Sequence, residues 1–184
     1  SVLYQGKVLA SYAKQHLPNH EVFDEVRYFV PGKQACVFEI DGYRLGLVIC
    51  EDAWHAASAA MAKHAGAQLL VIPNASPYHL EKHALREDIL RARVIETGLP
   101  LIYVNAVGGQ DELVFDGGSF ALNSRGNLAW RLPQFQEELA IIQFDGDCVT
   151  DRISAITSVE DQVYRALVLG VKDYVGKNGF PGAI

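Results

Sequence analysis

Between Leu47 and Asn105, short apolar runs alternate with stretches of helical period, and this alternation constrains the fold more than any other feature of the chain. Leu69-Leu70-Val71-Ile72, closed by Pro73, reads as a buried strand, and Leu101 to Asn105 reads as another. A helix is predicted from about Ala56 to Ala65. A second runs from about Leu80 to Thr97, where Leu85, Ile89, Ala92 and Ile95 recur at helical spacing before Gly98 and Pro100 end it. Strands separated by helices return in the same direction, so part of the sheet is predicted parallel. The flanks read as antiparallel: strand-like Ser1 to Tyr4 and Val8 to Tyr12, a hairpin from Ala35 to Ile49 turning at Asp41-Gly42, and a meander over Ser119 to Leu122, Leu128 to Arg131 and Leu139 to Phe144. The predicted class is α/β, layered, with a mixed sheet.

A chain of 184 residues, 49% apolar and 21% charged, can bury one sizeable core. Sixteen basic against 22 acidic residues give a formal charge of -6, and no run of Lys and Arg is present to track a phosphate backbone. Nucleic acid is therefore not an expected partner. No apolar segment approaches the ~18 residues that cross a bilayer, and residues 1–14 lack the sections of a secretory signal. A cytoplasmic location without membrane attachment is expected. Near the end, Ser158 with Asp161 three residues later is a capping pattern, and Val163, Leu167, Val171 and Tyr174 mark a helix to about Gly176.

The chemistry centres on Leu47-Val48-Ile49-Cys50-Glu51-Asp52-Ala53-Trp54, where an apolar run delivers a thiol to a helix start. The positive end of a helix favours thiolate, so the Cys50 pKa is expected to fall. The alternative is a cysteine that only packs. Cys36, Cys50 and Cys148 have neither an even count nor metal-type spacing. If Asp41-Gly42 is a two-residue turn, Cys36 faces Leu47 and lies too far from Cys50 to bridge, so Cys50 is expected to be free. Asn74-Ala75-Ser76-Pro77 follows a buried strand, which places Ser76 at the same sheet edge as Cys50. Lys14 precedes a rigid loop containing Pro18 and reads on its own as solvated charge. His79 and His83 have metal-ligand spacing, but the zinc-protease pattern is absent. Pro18 breaks the same spacing between His16 and His20. Asp111, Glu112 and Asp116 could hold a hard cation or simply face solvent. Neither a Gly-x-Ser-x-Gly elbow nor a Gly-x-x-x-x-Gly-Lys phosphate loop occurs.

Five motifs in order, Lys14 to Asn19, Val22 to Glu25, Cys50 to Trp54, Asn74 to Pro77 and Val107 to Ser119, resemble the glutaminase domains of glutamine-dependent NAD+ synthetases, a branch of the nitrilase (carbon-nitrogen hydrolase) superfamily. The resemblance implies a nitrilase-like α-β-β-α sandwich, incomplete at its N-terminus. It divides the chain into the C-terminal part of a glutaminase domain over 1–151 and a connector with the first helix of an ATP-pyrophosphatase type synthetase domain over 152–184. It implies Cys50 as the nucleophile that attacks glutamine, Lys14 as the cation facing the oxyanion, and Glu25 as the group orienting Lys14. Glu51, Ser76 and Lys82 are implied to bind the amino acid end of glutamine. His20, where relatives carry a stacking tyrosine, joins that substrate set. No metal or cofactor is expected in this segment, whereas the full-length enzyme would use ATP and Mg2+ to amidate nicotinic acid adenine dinucleotide. Glutamine, a synthetase domain of the same chain and a homo-oligomeric partner follow from the same resemblance. The general-base glutamate of the family lies on an earlier strand-helix unit, so these residues alone are expected to be inactive. A free-standing amidase and a non-catalytic assembly module are the competing readings.

Overall fold

Asp41 and Gly42 take φ of +50° and +81°, the left-handed pair that a two-residue hairpin turn demands. They join β3 (Cys36–Ile40) to β4 (Tyr43–Leu47), with Ile40 opposite Tyr43 and Cys36 opposite Leu47, the predicted register. A computed structural model describes residues 1–20 and 22–182. Before the hairpin come β1 (Val2–Tyr4), β2 (Lys7–Ala10) and the single-turn α1 (Glu25–Tyr28). After it come a 3-10 turn (Cys50–Trp54), α2 (Ala56–His64), β5 (Leu69–Asn74) and α3 (Lys82–Thr97). The chain continues through β6 (Leu101–Asn105), β7 (Val107–Gln110), β8 (Leu113–Asp116), β9 (Phe120–Leu122) and β10 (Leu128–Arg131), and closes with α4 (Val159–Lys177).

Six strands form the central sheet in the order β10-β9-β6-β5-β4-β3. The β4-β5 and β5-β6 pairs are parallel and the outer pairs antiparallel, so the sheet is mixed as predicted. Alternation along each strand sorts the core into two layers. Leu70, Ile72, Leu101 and Tyr103 face α2 and α3, packing with Leu90 and Val94. Leu69, Val71, Ile102 and Trp130 face the other way, and the segment around Ala140, Ile142, Phe144 and Cys148 lies over them.

That segment corrects the sequence reading. Leu139 to Phe144 alternates like a strand but makes no ladder; it has only one isolated bridge, Phe144 to Cys148. It lies over a face of the sheet rather than along an edge, so its backbone has no strand to pair with while Leu139 and Ile141 point to solvent. In α3 the buried stripe is Arg86, Leu90 and Val94, none of them in the apolar set predicted, and Leu85 and Ile95 are 50% and 66% exposed. The helix turns on a buried arginine, which an apolar periodicity cannot register. Asp111 and Glu112, offered as cation ligands or solvent-facing acids, form the turn of the β7-β8 hairpin.

At the end of the chain Ser158 caps α4, its hydroxyl accepting from the Asp161 N–H at 3.3 Å. The helix docks on the β7-β8 hairpin: the Gly109 N–H donates to Asp173 at 2.7 Å and the Lys177 ammonium to the Gly109 carbonyl at 2.5 Å. The apolar residues that mark its period, Val163, Leu167, Val171 and Tyr174, are exposed, and Gln162 and Ala166 form its buried side. Among the described residues no helix is long and apolar enough to cross a membrane.

Candidate active site

β4 ends at Leu47, the Val48 N–H is held by the Val71 carbonyl at 3.1 Å, and two residues later Cys50 bends the chain into the 3-10 turn at φ +45°. A non-glycine residue in that region is strained by its Cβ, and such positions gather at working sites. The bend points the sulfur toward the carboxyl end of β5, where the N–H groups of Glu51 and Ala75 favour its charged form.

The sulfur borders a cavity of about 260 Å³. Glu51, Ser76, Lys82 and His20, each predicted to meet substrate, line the same cavity with Phe23, Trp54, Pro18, Pro77 and Leu85, whereas Lys14 and Glu25 are not among its lining residues. Its size is at or below the ~300–1,000 Å³ of ordinary ligand pockets and suits a small solute. The Ser76 hydroxyl accepts from Arg86 Nε at 3.3 Å, and its N–H donates to Asn105 Oδ1 at 2.9 Å. His20 packs edge-on against Phe23, with ring centroids 6.1 Å apart. The Glu51 carboxylate faces His55 Nε2 at 3.6 Å, and the His55 ring stacks on His16.

Lys14 is not a solvated lysine. Its side chain is only 13% exposed, and its ammonium donates to both oxygens of Glu25 at 2.6 and 2.8 Å. Gly32 secures the loop behind it, donating its N–H to the Lys14 carbonyl at 2.8 Å; a Cβ there would sit 2.1 Å from the Ala13 oxygen, so only glycine fits.

The pKa expectation for Cys50 is corrected. Burial is the largest influence and pushes the thiol up; the Lys14 ammonium is the strongest opposing one, and the Glu51 carboxylate adds to the rise. The reason is geometric: Cys50 opens a short 3-10 turn, and the next α-helix, α2, begins only at Ala56, too far along to lend its full dipole. Cys50 is partly exposed, whereas Cys36 and Cys148 are buried and burial pushes Cys148 up to about 12.

Two residues escaped the sequence reading. Asp52 is fully buried and collects donors from Tyr12, Gln15 and His16. Arg86, also buried, donates to both Asp116 oxygens at 2.9 and 3.0 Å and to the carbonyls of Ser76 and Pro77 at 2.9 Å each. The adjacent carboxylates of Glu51 and Asp52 were the available signal for the first; none existed for the second. Asp116, once a candidate cation ligand, is closed off by Arg86 and by Gln134 Nε2 at 2.9 Å, and His83, pushed down by burial, sits between Glu87 and Arg131. Among the described residues no three His, Cys, Asp or Glu side chains converge to hold a metal.

The chain is 45% identical to a glutamine-dependent NAD+ synthetase of Rhodobacter capsulatus over 97% of its own length and 33% of that protein's. It is 39% identical to one from Acinetobacter baylyi over 100% of its length and 35% of the relative's. It therefore spans about a third of the curated relatives it matches. Its backbone superposes on a glutamine-dependent NAD+ synthetase of Acinetobacter baumannii with a TM-score of 0.93 at 37% identity, covering 98% of this chain and 35% of that one. With a nitrilase-superfamily amidase of Nesterenkonia AN1 the TM-score is 0.62 at 33% identity, over 70% of this chain and 47% of the amidase. A family description, carbon-nitrogen hydrolase, matches residues 3–152, the stretch that holds both the bent cysteine and the paired lysine. On that match the chain belongs to the carbon-nitrogen hydrolase family.

Proposed function

We propose that this chain forms the nucleophile-bearing part of a glutamine-hydrolysing site within a longer synthetase that amidates nicotinic acid adenine dinucleotide to NAD+. The observation that carries the reading is the convergence on one small cavity of a strained, partly exposed thiol with Glu51, Ser76 and Lys82. A carboxylate and an ammonium lining one pocket suit the two charged ends of an amino acid.

In this reading the Cys50 sulfur attacks the side-chain carboxamide carbon of glutamine. A carbon-sulfur bond forms as the carbonyl electron pair moves to oxygen, and the resulting oxyanion faces the Lys14 ammonium and the Glu51 N–H. A single aimed donor of this kind is worth about 3 kcal/mol in the transition state. Collapse of the adduct breaks the carbon-nitrogen bond, and the nitrogen takes a proton and leaves as ammonia. Water then adds to the thioester, glutamate departs and the thiol is restored. Glu25 serves here as the orienting partner of Lys14.

Proton transfer needs a base, and the nearby carboxylates are committed: Glu25 to Lys14, Asp52 to its buried donors, and Glu51 opposite His55. The 184 residues alone are therefore expected to release ammonia from glutamine at a negligible rate. The ATP and Mg2+ implied by the resemblance do not fit the described residues, where no acidic cluster converges. We assign them to the longer protein and derive no step through them. We likewise assign residues 152–184 to the approach to a synthetase domain. The extent of the likeness supports this over a free-standing amidase, because the synthetase superposition covers 98% of the chain and the amidase superposition 70%.

The test is alkylation of the intact chain, with sites read by mass spectrometry. A glutamine-shaped chloroketone is expected to modify Cys50 at least about a hundredfold faster than iodoacetamide does, through oriented binding. Cys36 and Cys148 should react slowest. Equal rates for the two reagents at Cys50, or steady turnover of glutamine by this chain, would overturn the assignment.

A further inference from the structure

Lys14 is held at its tip by Glu25, but a lysine stem has several rotatable bonds, so a fixed ammonium also needs a fixed root. The root sits in a loop outside any strand or helix. Gly32 holds the Lys14 carbonyl and Ser58 the Gln15 side chain, and one buried carboxylate gathers the loop on both sides of Lys14. Asp52 is fully buried; its Oδ1 accepts the His16 N–H at 2.6 Å, the Gln15 N–H at 3.0 Å and His16 Nδ1 at 3.1 Å. Its Oδ2 accepts the Tyr12 hydroxyl at 2.7 Å and shares the Gln15 N–H at 3.2 Å. These donors flank Lys14 on both sides in sequence.

The backbone of Asp52 belongs to the turn that Cys50 opens. Its N–H donates to the Ile49 carbonyl at 3.0 Å, and its carbonyl accepts the His55 N–H at 3.2 Å. One residue therefore joins the peptide that aims the sulfur to the peptide that roots the cation. A sealed carboxylate is tolerated only when its lone pairs are filled, and here donors from the lysine loop fill them.

We propose that Asp52 is a positioning residue for Lys14, setting the separation of ammonium and sulfur by clamping the loop of one onto the turn of the other. It rests on the glutaminase reading only for what the cation does to substrate. The contacts are strong and local, and a shift of about 1 Å in a reacting group costs on the order of a hundredfold.

The experiment uses the intact chain and follows alkylation of Cys50 by the glutamine-shaped chloroketone. Asp52→Asn keeps the shape of the side chain and one acceptor oxygen. It is expected to slow the reaction about tenfold or more while circular dichroism shows the chain folded at the assay temperature. In a Lys14→Gln background the same substitution should change the rate less than about twofold, because the group it positions is gone. Equal slowing in both backgrounds, or no slowing in a folded Asp52→Asn chain, would overturn the proposal.

Tyr12→Phe covers the case in which Asp52→Asn does not fold, since it removes one donor outside the cavity. It should slow the reaction about two- to fivefold, again only when Lys14 is present, and an unchanged rate counts against the clamp. Failure of the glutaminase reading looks different: the unmodified chain shows no preference for the chloroketone. The pH-rate curve for iodoacetamide then carries the test alone, with Asp52→Asn expected to displace it to higher pH.

Discussion

An Arg86→Ala chain is expected to lose about 3–5 kcal/mol of folding stability, the largest effect of any single substitution considered. Arg86 is 3% exposed and Asp116 is 1% exposed. Arg86 Nη1 meets both oxygens of the Asp116 carboxylate, and Nη2 donates to the Ser76 and Pro77 carbonyls. Removing the cation leaves a buried carboxylate with the Gln134 and Asn105 amides as its side-chain partners, and takes one donor from each of the Ser76 and Pro77 carbonyls. Urea denaturation monitored by circular dichroism measures the loss as a lowered midpoint. Arg86→Ala with Asp116→Ala should cost markedly less than the sum of the two single changes, because the second removes the stranded charge created by the first. A loss below about 1 kcal/mol for Arg86→Ala would mean that the pair contributes little.

Lys14→Gln is expected to raise the pH at which Cys50 becomes reactive and to slow its alkylation at pH 8 about tenfold. The sign follows from the charges at the sulfur. Burial and Glu51 push the thiol up, and Lys14 is the strongest influence pulling it down, so deleting the ammonium leaves the upward influences opposed by the Glu51 and Ala75 N–H groups alone. One unit of displacement corresponds to a tenfold smaller thiolate fraction below the midpoint. Iodoacetamide kinetics between pH 6 and 10 give the curve directly. A midpoint that stays put would separate the cation from the sulfur, and the mechanism proposed for the oxyanion would fall with it.

Features encoded by neighbouring residues were legible from sequence, whereas features that depend on distant partners were not. The Asp41-Gly42 turn sets the β3-β4 register because two left-handed residues admit one hairpin geometry. The apolar run of β5 and the helical spacing of α2 and α3 reveal the sheet and its cover for the same local reason. The candidate site was legible as a set of residues, and Cys50, Glu51, Ser76, Lys82 and His20 share one cavity. What holds them was hidden. Asp52 finds its donors 36 to 40 residues away, and Arg86 reaches Asp116 across 30, separations at which no periodicity carries information. The environment of Cys50 misled for a related reason. The sequence locates a helix start, but the length and type of the first turn depend on how Asp52 is tied down.

The two tryptophans stand in unequal surroundings. Trp130, on β10, is buried with its indole N–H on the Val149 carbonyl at 3.0 Å, while Trp54 forms part of the wall beside Cys50. Ultraviolet emission from this molecule therefore divides into a sheltered constant background and one fluorophore that senses the cavity. The chain carries its own optical gauge of occupancy, readable without attaching a dye.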